Sequence, residues 1–203
     1  MITIIDYGVG NLFSLSSSLS YLGLENKVSR DPEDLRKADH IILPGVGAYG
    51  DAIAKLRGSG MAEPLLDEAK AGKPIMGICL GMQLLFDKSC EYGEHQGLGL
   101  IPGVMADLKE DIPANLKVPH MGWNSLHVVR DDPLFRYFRD GEYVYYVHSF
   151  YARNCKESTL AVSQYGNVAV TGVVRSGSVW GTQFHPEKSG DAGLRLLKAF
   201  GEL

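Results

Sequence analysis

Lys73-Pro-Ile-Met-Gly-Ile-Cys79-Leu-Gly81-Met-Gln83 is the stretch from which the fold of this chain is read. Ile75, Met76 and Ile78 make an apolar run long enough for one buried strand. Met82, Leu84, Leu85 and Phe86 follow without a proline or a polar loop and read as a helix. Between them lies Gly77-Ile78-Cys79-Leu80-Gly81, a G-x-C-x-G pattern. A residue at the tip of so sharp a strand-to-helix turn is held in strained backbone geometry with its side chain in the open, and the flanking glycines allow close packing. A helix N-terminus beside the sulfur favours thiolate over thiol. The pattern is a nucleophile elbow carrying sulfur in place of oxygen, and it makes Cys79 a candidate nucleophile rather than a buried core cysteine.

Outward from the elbow, the N-terminal half alternates strand and helix. Ile2 to Ile5 is a short strand, and Leu12, Leu15, Leu19 and Leu22 recur at helical spacing until Gly23. Val28 sits in a second strand, Pro32 to Arg36 opens a short helix, and His40 to Leu43 is a third strand running into Pro44-Gly-Val-Gly47. Two further helices, around Ala52 to Leu56 and Met61 to Ala69, precede the elbow strand. That succession predicts an α/β fold, a mostly parallel, flavodoxin-like sheet covered by helices on both faces. Beyond residue 96 the runs Leu98–Leu108, Leu126–Val129, Tyr143–Val147, Leu160–Val162, Val168–Val174 and Val179–Phe184 are short and β-rich. They predict an antiparallel extension of the same sheet, with Arg175-Ser-Gly-Ser178 as a hairpin, and Leu194 to Phe200 closes the chain as a helix. No linker, repeat or low-complexity tract interrupts residues 1–203, so one domain is expected.

Bulk properties exclude several classes of function. A net charge of -4 gives no reason to expect nucleic acid or an anionic membrane as partner. Three cysteines, an odd number, argue against a disulfide framework and for a reducing compartment. The first residues, Met1-Ile-Thr-Ile-Ile-Asp6, lack the basic region of a signal peptide, so a cytoplasmic protein is expected. Gly8-x-Gly10 suggests a dinucleotide loop, but the third glycine of that pattern would fall on Phe13.

A cysteine nucleophile needs a general base, and the base an orienting acid. Of the six histidines, His40, His95, His120, His127, His148 and His185, only His185 is followed by Pro186-Glu187. In an extended segment residues i and i+2 project to one side, which would set Glu187 beside the His185 ring, stiffened by Pro186. The run Val179 to Phe184 reads as a strand and would deliver His185 at a strand end, where ligand sites of such sheets gather. His120, His127 and His148 are left as site-lining or core residues, and no histidine pair has metal-ligand spacing with a third ligand. Pro44-Gly45-Val46-Gly47, also after a strand, can aim backbone N–H groups at developing oxyanion charge.

With Pro44-Gly-Val-Gly47, Gly77-Ile-Cys79-Leu-Gly-Met-Gln83 and His185-Pro-Glu187 in place, the chain resembles the class I, triad-type glutamine amidotransferases over essentially its whole length. Ile5-Asp6-Tyr-Gly-Val-Gly-Asn11-Leu, Gly97-Leu-Gly-Leu-Ile-Pro-Gly103, Pro119-His-Met-Gly-Trp-Asn124 and Tyr145-Tyr-Val-His-Ser149 are similar, within that family, to the glutaminase subunits of imidazole glycerol phosphate synthase. The resemblance implies Cys79 as nucleophile, His185 as general base and acid, and Glu187 as orienting carboxylate. It implies oxyanion donors around Val46, Gly47 and Leu80, and glutamine contacts from Gly47, Gln83, Glu91, Tyr145 and Ser149. The implied partner is a (β/α)₈-barrel cyclase subunit, met in a heterodimer through a rim carrying Asn11, Trp123 and Lys188 and fed with ammonia for imidazole glycerol phosphate and AICAR formation. It implies neither a metal nor a cofactor. The alternatives are a glutaminase subunit of another amination pathway, such as sugar amination for surface polysaccharides, a γ-glutamyl hydrolase, and a non-catalytic binding module.

Overall fold

The computed structural model describes all 203 residues. Strands β1 (Ile2–Ile5), β2 (Asn26–Ser29), β3 (His40–Leu43) and β4 (Ile75–Ile78) lie parallel in the spatial order β2-β1-β3-β4. Helices α1 (Leu12–Tyr21), α2 (Pro32–Lys37), α3 (Tyr49–Gly58) and α4 (Ala62–Lys70) lie between these strands in the chain, and α5 (Leu80–Leu84) follows the elbow. Local chemistry sets several ends. Asn11 caps α1 by accepting from the Ser14 amide, and Asp31 with Pro32 at the first position starts α2. Strands β1, β3 and β4 read as nearly unbroken apolar runs because both of their faces are covered, whereas the edge strand β2 is largely exposed. Ile5, Ile41 and Ile75 face α2, α3 and α4, whereas Ile4, Ile42 and Met76 face α1 and the C-terminal helix α6 (Gly190–Gly201).

The second half departs from a simple extension of that sheet. The strands are β5 (Phe86–Ser89), β6 (His95–Gln96), β7 (Ile101–Asp107), β8 (His120–Ser125), β9 (His127–Val128), β10 (Tyr143–His148), β11 (Phe150–Arg153), β12 (Thr159–Tyr165), β13 (Val168–Ser176) and β14 (Val179–Thr182). Only β14, β13, β12 and β9 join the main sheet, which runs β2-β1-β3-β4-β14-β13-β12-β9. The hairpin at residues 175–178 is present, but β14 pairs parallel to β4 and so continues the parallel part. Strands β8 and β10 form a two-stranded sheet, and β11-β7-β5-β6 a four-stranded one.

The expected helix through Phe86 also stops short, at Leu84, and Phe86 opens β5. The carbonyls needed to continue the helix are taken from outside it. The Leu98 amide donates to Leu84, the Leu100 and Ile101 amides to Leu85, and the Gly99 amide to Phe86. Apolar spacing could not distinguish this segment from helix, because Leu84, Leu85 and Phe86 are fully buried either way.

The flanking glycines of the elbow are explained by backbone approach. A Cβ on Gly81 would collide with the Leu43 carbonyl oxygen at the end of β3, and one on Gly77 would lie 2.6 Å from Met82 N and Cα in α5. Both are contacts to backbone, which cannot swing aside as a side chain can. Gly58, the last residue of α3, has open space around it and ordinary helical backbone. Gly81→Ala is therefore expected to lower stability by about 1–3 kcal/mol, while Gly58→Ala is neutral or stabilising by up to about 1 kcal/mol. Urea midpoints with unchanged slopes check the pair, and equal effects would contradict the packing account.

Candidate active site

Three loops at the C-terminal ends of β3, β4 and β14 meet over one cleft, the position expected for a ligand site in a sheet of this kind. Cys79 leaves β4 with φ +54° and ψ −113°, a left-handed backbone that a residue with a Cβ adopts only when its surroundings hold it there. Two backbone bonds do so. The Cys79 amide donates to the Thr182 carbonyl at 2.7 Å, tying the elbow to β14, and its carbonyl accepts from the Gln83 amide at 3.1 Å within α5. The thiol lies 3.9 Å from the Val147 carbonyl and is 7% exposed, enough to meet a ligand in the cleft. Leu80, opening α5, has an amide free of an intrahelical acceptor.

His185 and Glu187 meet as expected, with Nδ1 2.8 Å from Oε1 and both side chains 3% exposed. The backbone route is different from the one read from the sequence. Residues Pro186–Lys188 form a 3₁₀ turn, closed by the Lys188 amide on the His185 carbonyl, so a tight turn rather than an extended strand brings Glu187 back to the ring. The His185 backbone is fixed at both ends. Its amide donates to the Tyr145 carbonyl at 3.0 Å, and the Ser189 hydroxyl donates to its carbonyl at 2.6 Å.

Burial opposes charge on His185, but hydrogen bonds from the ring to the Cys79 sulfur and to Glu187 outweigh it and raise the imidazole from 6.5 to about 9. Because the ring carries a proton through neutral pH, the arrangement stores a proton beside the sulfur. The second Glu187 oxygen is buried without a donor, which leaves His185 as the carboxylate's hydrogen-bonded partner.

The cleft measures about 410 Å³ and is lined by Val46, Gly47, Cys79, Leu80, Gln83, Glu91, Ser149, His185 and Lys188 among others. The Val46 and Gly47 amides are taken by no acceptor of the chain, and Gly47 has φ +94°. Below them the Tyr7 hydroxyl donates to the Pro44 carbonyl at 2.9 Å, anchoring the loop's start. Glu91 is held across the cleft, its carboxylate accepting from the Tyr49 amide at 2.9 Å where α3 begins, and burial raises its pKa. Gln83 is 5% exposed, and its amide nitrogen is committed to the Phe150 carbonyl and to Gln183.

Not every anticipated residue converges. Tyr145 does not line the cleft; its ring packs edge-on against Trp123 with centroids 6.0 Å apart. Trp123 is 55% exposed and approaches Gly190, two residues from Lys188, so these two share a rim. Asn11 sits beside Gly10, which abuts Pro44 at the base of the loop. Pro119, Val147, His148 and Phe150 also line the cleft. The sequence leaves His148 open as site-lining or core and carries no signal for the other three, because their contribution is backbone and wall. No three His, Cys, Asp or Glu side chains converge as a metal would require.

The family profile described as "Glutamine amidotransferase class-I" matches residues 3–201. The chain belongs to that family. Relatives named "Imidazole glycerol phosphate synthase subunit HisH" align along the whole amidotransferase chain. One from Listeria monocytogenes is 49% identical over 203 residues, covering 100% of this chain and 96% of its own. Another, from Caldanaerobacter subterraneus, is 46% identical, covering 100% and 98%. Among solved structures, a glutamine amidotransferase superposes with TM-score 0.75 at 21% identity, covering 99% and 100%. PurLQS from Thermotoga maritima superposes with TM-score 0.73 at 23% identity, covering 98% and 96%. At that identity the two structures bear on the fold alone.

The raised imidazole makes a pH prediction. His185 is charged below a pKa of about 9, so the imidazolium is present at neutral pH and is lost as pH rises through that value. Glu187→Gln removes one of the two groups that raise it. The alkaline limb of kcat/KM for glutamine should then move down by about one pH unit or more. Profiles of the two proteins check this, and an unmoved limb would contradict the assigned pair.

Proposed function

We infer that this chain is the glutamine-hydrolysing subunit of an imidazole glycerol phosphate synthase in histidine biosynthesis. One observation carries the reading: Cys79, His185 and Glu187 meet at the strand ends of an amidotransferase fold whose full-length relatives bear that name. The 203 residues act as one glutaminase domain of a cytoplasmic enzyme, and the acceptor chemistry belongs to a second chain. That chain is a (β/α)₈-barrel cyclase, bound as a heterodimer against the rim of Asn11, Trp123 and Lys188.

Glutamine enters the cleft with its side-chain amide over Cys79. Glu91, with its second oxygen free of the Tyr49 amide, faces the substrate's ammonium, and Ser149 and Gly47 offer backbone groups to the α-carboxylate end. The Cys79 thiolate attacks the amide carbon, and the oxygen of the tetrahedral intermediate takes hydrogen bonds from the Leu80 amide and the Val46–Gly47 loop. His185 transfers its proton to the amide nitrogen, the C–N bond breaks, and ammonia leaves a γ-glutamyl thioester. Neutral His185 then takes a proton from water. The resulting hydroxide attacks the thioester, glutamate departs, and the thiolate–imidazolium pair is restored.

This division of labour separates two nitrogen sources. With the cyclase, Cys79→Ala should lose glutamine-dependent product by at least about 10³-fold yet keep product formation from ammonium salts. Cys90→Ala and Cys155→Ala should stay near wild type, since one thiol is exposed outside the cleft and the other buried against Thr159 and Thr171. Glutamine turnover surviving in Cys79→Ala would overturn the reading.

A further inference from the structure

Two histidines that this chemistry does not use are buried beside it. His148 lines the cleft and is 5% exposed; His120, in β8, is 3% exposed. His148 Nδ1 lies 2.9 Å from the Phe150 carbonyl, and its Nε2 lies 2.9 Å from His120 Nδ1. His120 Nε2 lies 3.3 Å from the Asn124 side-chain amide nitrogen, which also donates to the Gln164 carbonyl at 2.9 Å.

The chemistry of the ends fixes the direction of every proton. A carbonyl only accepts, so His148 carries its proton on Nδ1 and its Nε2 must accept. His120 then carries its proton on Nδ1, and its Nε2 accepts from Asn124, which has only N–H to give at that atom. Burial lowers His120 to about 4 and His148 to about 3, so both rings are neutral at neutral pH. His120 is clamped between two rings, stacked on Tyr146 at 4.6 Å and on Tyr165 at 4.2 Å.

The far end of this chain of bonds is a weak point of the cleft wall. The backbone leaves the β8–β10 sheet at His148 and enters the β7–β11 sheet at Phe150, so Ser149 is a corner between two sheets. The Phe150 carbonyl there is held by side chains, accepting from His148 and, at 3.2 Å, from Gln83. We propose that His120 is a positioning residue, acting through His148 to hold the Ser149–Phe150 corner in the shape that receives glutamine. Asn124, next to the exposed Trp123 in the same strand, extends the chain of bonds to the Gln164 carbonyl in β12. The functional half of this inference rests on the cleft being the glutamine site.

Two substitutions separate the hydrogen bond from the stacking. His120→Phe keeps a ring between Tyr146 and Tyr165 but gives His148 no donor. His120→Asn loses the ring but sets an amide N–H where Nδ1–H stood. Steady-state glutamine hydrolysis of both in the cyclase complex, with imidazole ¹⁵N spectra of the free chain, tests the proposal. His120→Phe should raise KM about tenfold with kcat changed much less, and the His148 Nε2 resonance should move to the position of an acceptor without a donor while Nδ1 keeps its proton. His120→Asn should restore both readouts toward wild type. An unchanged KM in His120→Phe, whatever its stability, or equal impairment in both variants, would overturn the proposal. So would a wild-type His148 protonated on Nε2, a result that stands whether or not the cleft takes glutamine. A wild-type complex without glutamine turnover would instead defeat the reading of the cleft.

Discussion

The contact between Gly81 and the end of β3 is the constraint on which the site depends. It brings α5 against the Leu43 carbonyl with no side chain between, so the elbow after β4 and the glycine loop after β3 share one backbone interface. Cys79 is thereby forced to φ +54° while its amide is pinned to Thr182. The β14 strand that receives that bond continues into His185. Cys79, His185 and the Val46–Gly47 loop, at the ends of three separate strands, are thus set against one another by backbone contacts rather than by long side chains. Such contacts have little rotamer freedom to lose, and positional accuracy of this kind is what covalent catalysis requires.

Around that frame the charges are arranged in opposition. His185 is raised to about 9 by the sulfur and by Glu187, whereas His148 and His120, equally buried, are pushed down because only burial and neutral or cationic neighbours act on them. The cleft therefore holds one imidazolium, that of His185.

The parallel half of the fold and the pairing of His185 with Glu187 were legible because each rests on local signals. Apolar strand runs, the glycines around Cys79 and the His-Pro-Glu spacing each have a short-range cause. Even so, Glu187 reaches His185 by a 3₁₀ turn, a route that the spacing alone does not distinguish from extended chain. The second half resisted reading because its sheets are decided by distant partners. Pro119-His-Met-Gly-Trp-Asn124 has poor strand composition, yet β8 pairs with β10 in full register from His120 to Ser125. The helix expected through Phe86 is cut short by amides more than ten residues away. The cleft walls at Val147 and Phe150 act through carbonyls, and a carbonyl leaves no mark on residue type.

The central claim is that this backbone geometry makes one sulfur, that of Cys79, the covalent partner of glutamine. Rapid acid quench of the complex during turnover, followed by peptide mass analysis, tests it most directly. A γ-glutamyl thioester on the Cys79 peptide, with Cys90 and Cys155 unmodified, is the predicted result. Steady glutamate formation with no adduct at Cys79, or with the adduct at another cysteine, would contradict the account.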